Sequence, residues 1–202
     1  MKFSKLIFLL FIATIGSLFV SCEETAEVDE YANWKERNAE YIASIAKEAE
    51  ENADGKWHKF LSYKLNPVDA NGELVEYGVE DYVYCHVESE GSGTQCPLFT
   101  DSVSVNYRGR LMPTSSAYRG KVFDESYKGE LNVTINSPKE FVVSGLIVGW
   151  TTALMQMAEG DSWRVYIPSE LGYGGKDKDD IPAYSALVFD INLVDIISNT
   201  GE

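Results

Sequence analysis

Three stretches of this chain alternate strictly between apolar and polar residues, and nothing else in the sequence narrows the fold as far. Val103, Val105 and Tyr107 alternate with Ser104, Asn106 and Arg108; Trp163, Val165 and Ile167 with Arg164 and Tyr166; Leu187, Phe189, Ile191 and Leu193 with Asp190 and Asn192. A period of two sets one face of a strand on a core and leaves the other to solvent. One helical stretch interrupts them, near 150–157, where Trp150, Leu154 and Met157 recur on one face before Gly160 stops it. The predicted class is α+β, a multi-stranded antiparallel sheet wrapped around one short helix.

Upstream, residues 31–53 lack Gly and Pro and read as a helix, with Tyr31, Trp34, Tyr41 and Ile45 forming an apolar stripe and Gly55 just beyond as a stop. That stripe can dock on the body of the protein, the commoner fate, or pair with a second copy to give a homodimer. Residues 65–78 are rich in turn signals, Asn66-Pro67 and Asn71-Gly72 among them, and place a boundary there. The predicted organisation is 1–21 as a cleaved segment, 22–78 as an acidic tether with the helix, 79–197 as the main domain and 198–202 as a tail.

The first segment has the layout of a secretory signal peptide: Lys2 and Lys5, an apolar run from Leu6 to Val20, then Ser21-Cys22 and an acidic turn of sequence. Phe-Val-Ser-Cys resembles a bacterial lipobox, which predicts a lipid on Cys22, anchorage to a membrane and a place in the cell envelope. Cleavage loses two lysines and no acids, so the net charge of −15 becomes −17. Such a surface argues against nucleic acid as a partner, because that binding rests on Lys and Arg neutralising phosphates. Across the rest of the chain the acidity is densest in 22–78, where self-repulsion would extend a spacer. Cys85 and Cys96 remain, and their spacing leaves a disulfide and two separate thiols equally open.

Most catalytic machinery is absent from the sequence. Two histidines, His58 and His86, are too few for the common His-rich zinc sites, and no CxxC pair, phosphate loop, calcium hand or Gly-x-Ser-x-Gly elbow occurs. The expectation is chemistry without metal, cofactor or covalent nucleophile.

What remains is an ordered set of aromatics tied to glycines. Val-x-Val-x-Tyr-x-Gly-x-Leu from Val103, Val-Phe-Asp at 122–124, Ile147-x-Gly149-Trp150, Met157-x-x-Gly160, Ile167-Pro168-x-x-Leu171-x-Tyr173-Gly174, Ile181-Pro182 and Leu187-x-Phe189-Asp190-Ile191 occur in succession. This series closely resembles the FKBP-type, macrolide-binding peptidyl-prolyl cis-trans isomerases, from about Val79 to Ile197. The resemblance implies a curved antiparallel sheet of about five or six strands over the helix bearing Trp150. It implies a pocket with Trp150 as floor, Tyr107, Phe123, Ile147 and Phe189 as walls, and Asp124 and Tyr173 as polar groups at the rim. The Ile147 N–H would meet a substrate carbonyl, and Leu146, Ile181 and Phe141 would sit at the pocket edge.

Implied with these are proline-containing polypeptide clients, macrolide ligands and no cofactor. Segments 110–121 and 127–139 depart from the compact family pattern, and 174–182 is short and charged, so partner choice should differ more than the pocket. Two functions follow: an isomerase for exported proteins, or a non-catalytic binding or chaperone module on the same fold.

Overall fold

The computed structural model describes residues 29–198. The segment 1–21 expected to be a signal peptide, Cys22 as the expected lipidation site, and tail residues 199–202 lie outside the described residues. Among the described residues no helix is long and apolar enough to cross a membrane.

The chain runs α1 (Trp34–Glu51), β1 (Trp57–Leu61), β2 (Tyr82–Ser89), β3 (Ser102–Leu111), β4 (Val122–Glu125), β5 (Lys139–Val142), α2 (Val148–Leu154), β6 (Ser162–Ile167) and β7 (Leu187–Ile197). All pairings are antiparallel, in one seven-stranded sheet ordered β1-β2-β6-β7-β3-β4, with β5 also on β3. The α+β class and the helix at the N-terminus are as expected. The strand number exceeds the expected five or six. The strands the alternation did not reveal are short or upstream: β4 and β5 span only four residues each, too few to display a period. They share one edge of β3, β5 pairing from Ser102↔Val142 to Val105↔Lys139 and β4 from Arg108↔Glu125 to Arg110↔Val122.

The alternating residues divide the sheet into two faces. Inward, Val103, Val105 and Tyr107 of β3, Trp163, Val165 and Ile167 of β6 and Leu187, Phe189, Ile191 and Leu193 of β7 are buried around Trp150 and Leu154 of α2 and the following Met157. Gly149 lets α2 come this close, since a Cβ there would lie 2.3 Å from Cγ2 of Ile167. Outward, α1 packs Ile42 and Ile45 against Tyr84 and Ala186, with Tyr41, Trp57 and Tyr166 around them.

Of the expected stripe, Trp34 and Ile45 are buried on the chain's own sheet and Tyr41 is half-buried, while Tyr31 stays exposed. The expected boundary at 65–78 falls between two strands of the same sheet, because β1 pairs with β2 from Trp57↔His86 to Leu61↔Tyr82. The junction between α1 and β1 is built by Asn52, which caps the helix at φ 41; its side chain accepts from Trp57 N–H at 2.9 Å and donates to Trp57 C=O at 3.2 Å. Asn tolerates this left-handed conformation better than most residues, and it ends the helix before Gly55. Both domain cysteines are free thiols, Cys85 buried and Cys96 exposed.

Candidate active site

At one end of the inward face, residues from six segments meet around a cavity of about 310 Å³. Trp150 supplies its floor: it is 4% exposed, and three rings stand edge-on to it, Tyr107 at 5.3 Å, Phe189 at 5.1 Å and Phe141 at 6.0 Å between centroids. Edge-to-face pairs suit the quadrupoles of aromatic rings and hold the walls upright. Phe123 completes the wall through an edge-on contact with Phe189 at 5.4 Å. Gly109 makes that contact feasible, because a Cβ there would lie 2.6 Å from the Phe189 ring and 2.7 Å from the Phe123 ring.

Leu146 and Ile147 arrive from the turn before α2 and line the cavity with Gly145. Ile147 is the N-cap of α2 in an extended conformation, φ −60 and ψ 152. Its carbonyl accepts from Thr151 N–H at 3.1 Å, while among the described residues no acceptor engages the Ile147 N–H. A backbone donor without a partner beside an apolar cavity is ready for a ligand carbonyl.

Asp124 and Tyr173 lie at the rim. The Tyr107 hydroxyl donates to Asp124 Oδ2 at 2.6 Å, and Lys139 Nζ donates to the Tyr107 oxygen at 3.1 Å while standing 3.8 Å from Asp124 Oδ1. Burial first, then the hydrogen bond to Asp124, push the Tyr107 phenol well above its ordinary value, so it stays protonated and keeps donating. Ile181 does not line the main cavity. It is 5% exposed and borders an adjoining recess that shares Phe123, Asp124 and Tyr173.

The structure thus gathers Tyr107, Phe123, Asp124, Phe141, Leu146, Ile147, Trp150, Tyr173 and Phe189 around one cavity, with Ile181 next to it. Lys139 escaped the sequence reading. Its signal was position: two residues before Phe141 on a strand, it shares the face that Phe141 presents. Larger cavities lie elsewhere, about 570 Å³ beside Ser92–Cys96, about 470 Å³ beside Arg110, Arg119 and Arg164, and about 370 Å³ beside Ile42, Val79 and Pro168. The first two are lined mainly by polar groups and the third by no aromatic ring, so none gathers apolar rings over a buried floor. Among the described residues no cluster of three or more His, Cys, Asp or Glu is placed to hold a metal.

A family model described as FKBP-type peptidyl-prolyl cis-trans isomerase matches residues 93–194. The chain is 36% identical over 155 residues to the FKBP-type peptidyl-prolyl cis-trans isomerase FkpA of Escherichia coli K12, covering 76% of this chain and 50% of that one. It is 39% identical over 109 residues to the macrophage infectivity potentiator of Trypanosoma cruzi, 54% of this chain and 50% of that one. The chain therefore spans about half the length of the curated relatives it matches. A crystal structure of a peptidyl-prolyl cis-trans isomerase from Pseudomonas syringae pv. tomato superposes with a TM-score of 0.56 at 25% identity, covering 83% of this chain and 96% of that one. Pocket, motif order and family match agree: this chain belongs to the FKBP-type peptidyl-prolyl cis-trans isomerases.

Proposed function

We propose that this chain catalyses cis–trans isomerisation of X–Pro bonds in exported polypeptides. The observation that carries this reading is the ring-walled cavity over Trp150, with the unengaged Ile147 N–H at its edge. Rotation about the X–Pro bond breaks amide resonance, against a barrier of about 18–20 kcal/mol, and unaided takes tens to hundreds of seconds. The planar amide is the more dipolar state; the twisted one has lost its C–N double-bond character. An apolar slot therefore disfavours the planar state more than the twisted one, which is differential binding with no bond made or broken. The Ile147 N–H and the Tyr173 hydroxyl hold the flanking carbonyls, and the Tyr107–Asp124–Lys139 group fixes the polar rim. No cofactor enters this chemistry.

The test is a proline-peptide isomerisation assay on the purified chain, with a macrolide as competitor and its binding followed by Trp fluorescence. Accelerated isomerisation that the macrolide suppresses supports the proposal; no acceleration sinks it. Slow isomerisation beside strong suppression of client aggregation would instead favour the binding or chaperone module.

We further propose that the chain is held at a membrane of the cell envelope by a lipid on Cys22. The lipobox-like Phe-Val-Ser-Cys after an apolar run supports this. Mass spectrometry of the N-terminus tests it, and an unmodified Cys22 rules it out. Pairing of two copies through α1 is not part of the proposal, because Ile42 and Ile45 are committed to the sheet.

A further inference from the structure

Helix α1 lies on the face of the sheet opposite the cavity, yet its first two turns hold the loop that edges that cavity. The Trp34 indole N–H donates to Ser185 Oγ at 2.8 Å, and the Ser185 hydroxyl donates to Pro182 C=O at 2.6 Å. Asn38 Oδ1 accepts from Ala186 N–H at 2.8 Å, and its amide is fixed in turn by donating to Trp34 C=O at 2.6 Å. Asn38 and Ser185 are 2% and 3% exposed, so these bonds are formed away from water, where an unpaired partner is costly. Between them Tyr184 is held at φ 63, a conformation tyrosine rarely adopts, with Lys35 Nζ 4.6 Å from its ring centroid.

The same loop begins at Tyr173 and carries Ile181, both at the candidate site. Lys121 stands 3.8 Å from Asp180 and links it to the second departing loop, 110–121. That loop is gripped by the residue preceding α1's first turn region: Glu30 accepts from Thr114 Oγ1 at 2.5 Å and from the Ser116 hydroxyl.

We propose that Trp34 and Asn38 are positioning residues for the isomerase site: through Ser185 and Ala186 they set the 173–186 loop, and with it the grip on the substrate. The catalytic part rests on the isomerase function proposed above; the structural part does not. Neither residue touches the cavity, so both act through the loop.

The experiment compares the full chain with Trp34→Phe, which keeps a ring but removes the donor, and with Asn38→Leu. Amide hydrogen exchange across 173–186 reads the loop, and KM against kcat for a proline tetrapeptide reads the site. Expected for Trp34→Phe is faster exchange at the amides of 183–185, and for Asn38→Leu above all at the Ala186 N–H; in both, KM rises about three- to tenfold, kcat changes less, and the unfolding midpoint falls, since each leaves a buried partner unpaired. Ser185→Ala should cost less on the Trp34→Phe background than alone, because only its bond to Pro182 C=O then remains to be lost. Loop exchange and KM at native values in both variants would overturn the proposal, as would full additivity in the double variant. If the native chain shows no isomerase activity, the proposed function fails, and loop exchange alone decides whether α1 sets the loop.

Discussion

The two faces of the sheet are held by different forces. The inward face is a continuous apolar core closed by α2, where aromatic rings meet edge-on and the polar atoms gather at the cavity rim. The outward face carries a smaller apolar cluster under α1 and, beside it, a carboxylate between two guanidiniums: Asp190 accepts from Arg164 Nε at 2.7 Å and from Arg110 at 2.5 Å. Inward, order follows from volume and shape; outward, from directional pairs. Substitutions on the first face should therefore remove function and stability together, and those beside Asp190 should remove stability alone.

Trp150→Ala puts the greatest strain on this contrast. It deletes the cavity floor and should cost about 3–5 kcal/mol, with isomerisation falling to the uncatalysed rate; urea unfolding and the peptide assay measure both. Next comes Gly109→Ala, which drives a methyl between Phe123 and Phe189 and should cost about 1–3 kcal/mol while weakening substrate binding. If it leaves both untouched, the ring wall is looser than its contacts imply.

Asp190→Asn tests the other face. Burial alone would raise the Asp190 carboxyl, but hydrogen bonds from Arg164 and Arg110 outweigh it and hold the group below its usual range. A depressed folded value contributes stability above the unfolded value of about 3.9 and loses it as pH falls through the folded one. The variant should be less stable at neutral pH by about 1–2 kcal/mol, a modest figure because the side chain is 24% exposed. That deficit should close on acidification, and kcat/KM should stay native throughout. A changed kcat/KM at neutral pH would show that the faces are coupled here.

The smallest effect belongs to Tyr107→Phe, which removes the hydrogen bond to Asp124. A net contribution of about 1 kcal/mol corresponds to about a fivefold loss in kcat/KM. Because the Tyr107 phenol is pushed up and stays protonated, the native pH profile should be flat from about pH 6 to 9. A titration step in that window would break this account of the rim.

How much of this was legible in the sequence depended on how many residues carried each signal. β3, β6 and β7 are long enough for alternation to show, and their inward residues were read correctly. The cavity set was legible only as an ordered motif series, since Phe123 or Phe189 alone looks like any core aromatic. β1 was hidden because Trp57–Leu61 is half exposed and shows no clean period. Lys139 was hidden because its meaning depends on pairing opposite Val105, which brings it to Tyr107. The bonds from Trp34 and Asn38 to Ser185 and Ala186 had no signal at all: a Trp in an apolar stripe and an Asn beside it do not announce partners so far along the chain.

That distance has a consequence in time. Trp34 and Ser185 are 151 residues apart, and Asn38 and Ala186 are 148. At a synthesis rate of about 5–20 residues per second, Trp34 and Asn38 wait about 8–30 s before these two hydrogen-bond partners exist. Most of the stability of an amphipathic helix such as α1 comes from packing of its apolar face and not from helix propensity. The start of α1 is thus among the last parts to be locked, and a chain halted before residue 185 would hold the helix only through Ile42 and Ile45 against Tyr84 and its neighbours, with the Trp34 and Asn38 bonds unmade.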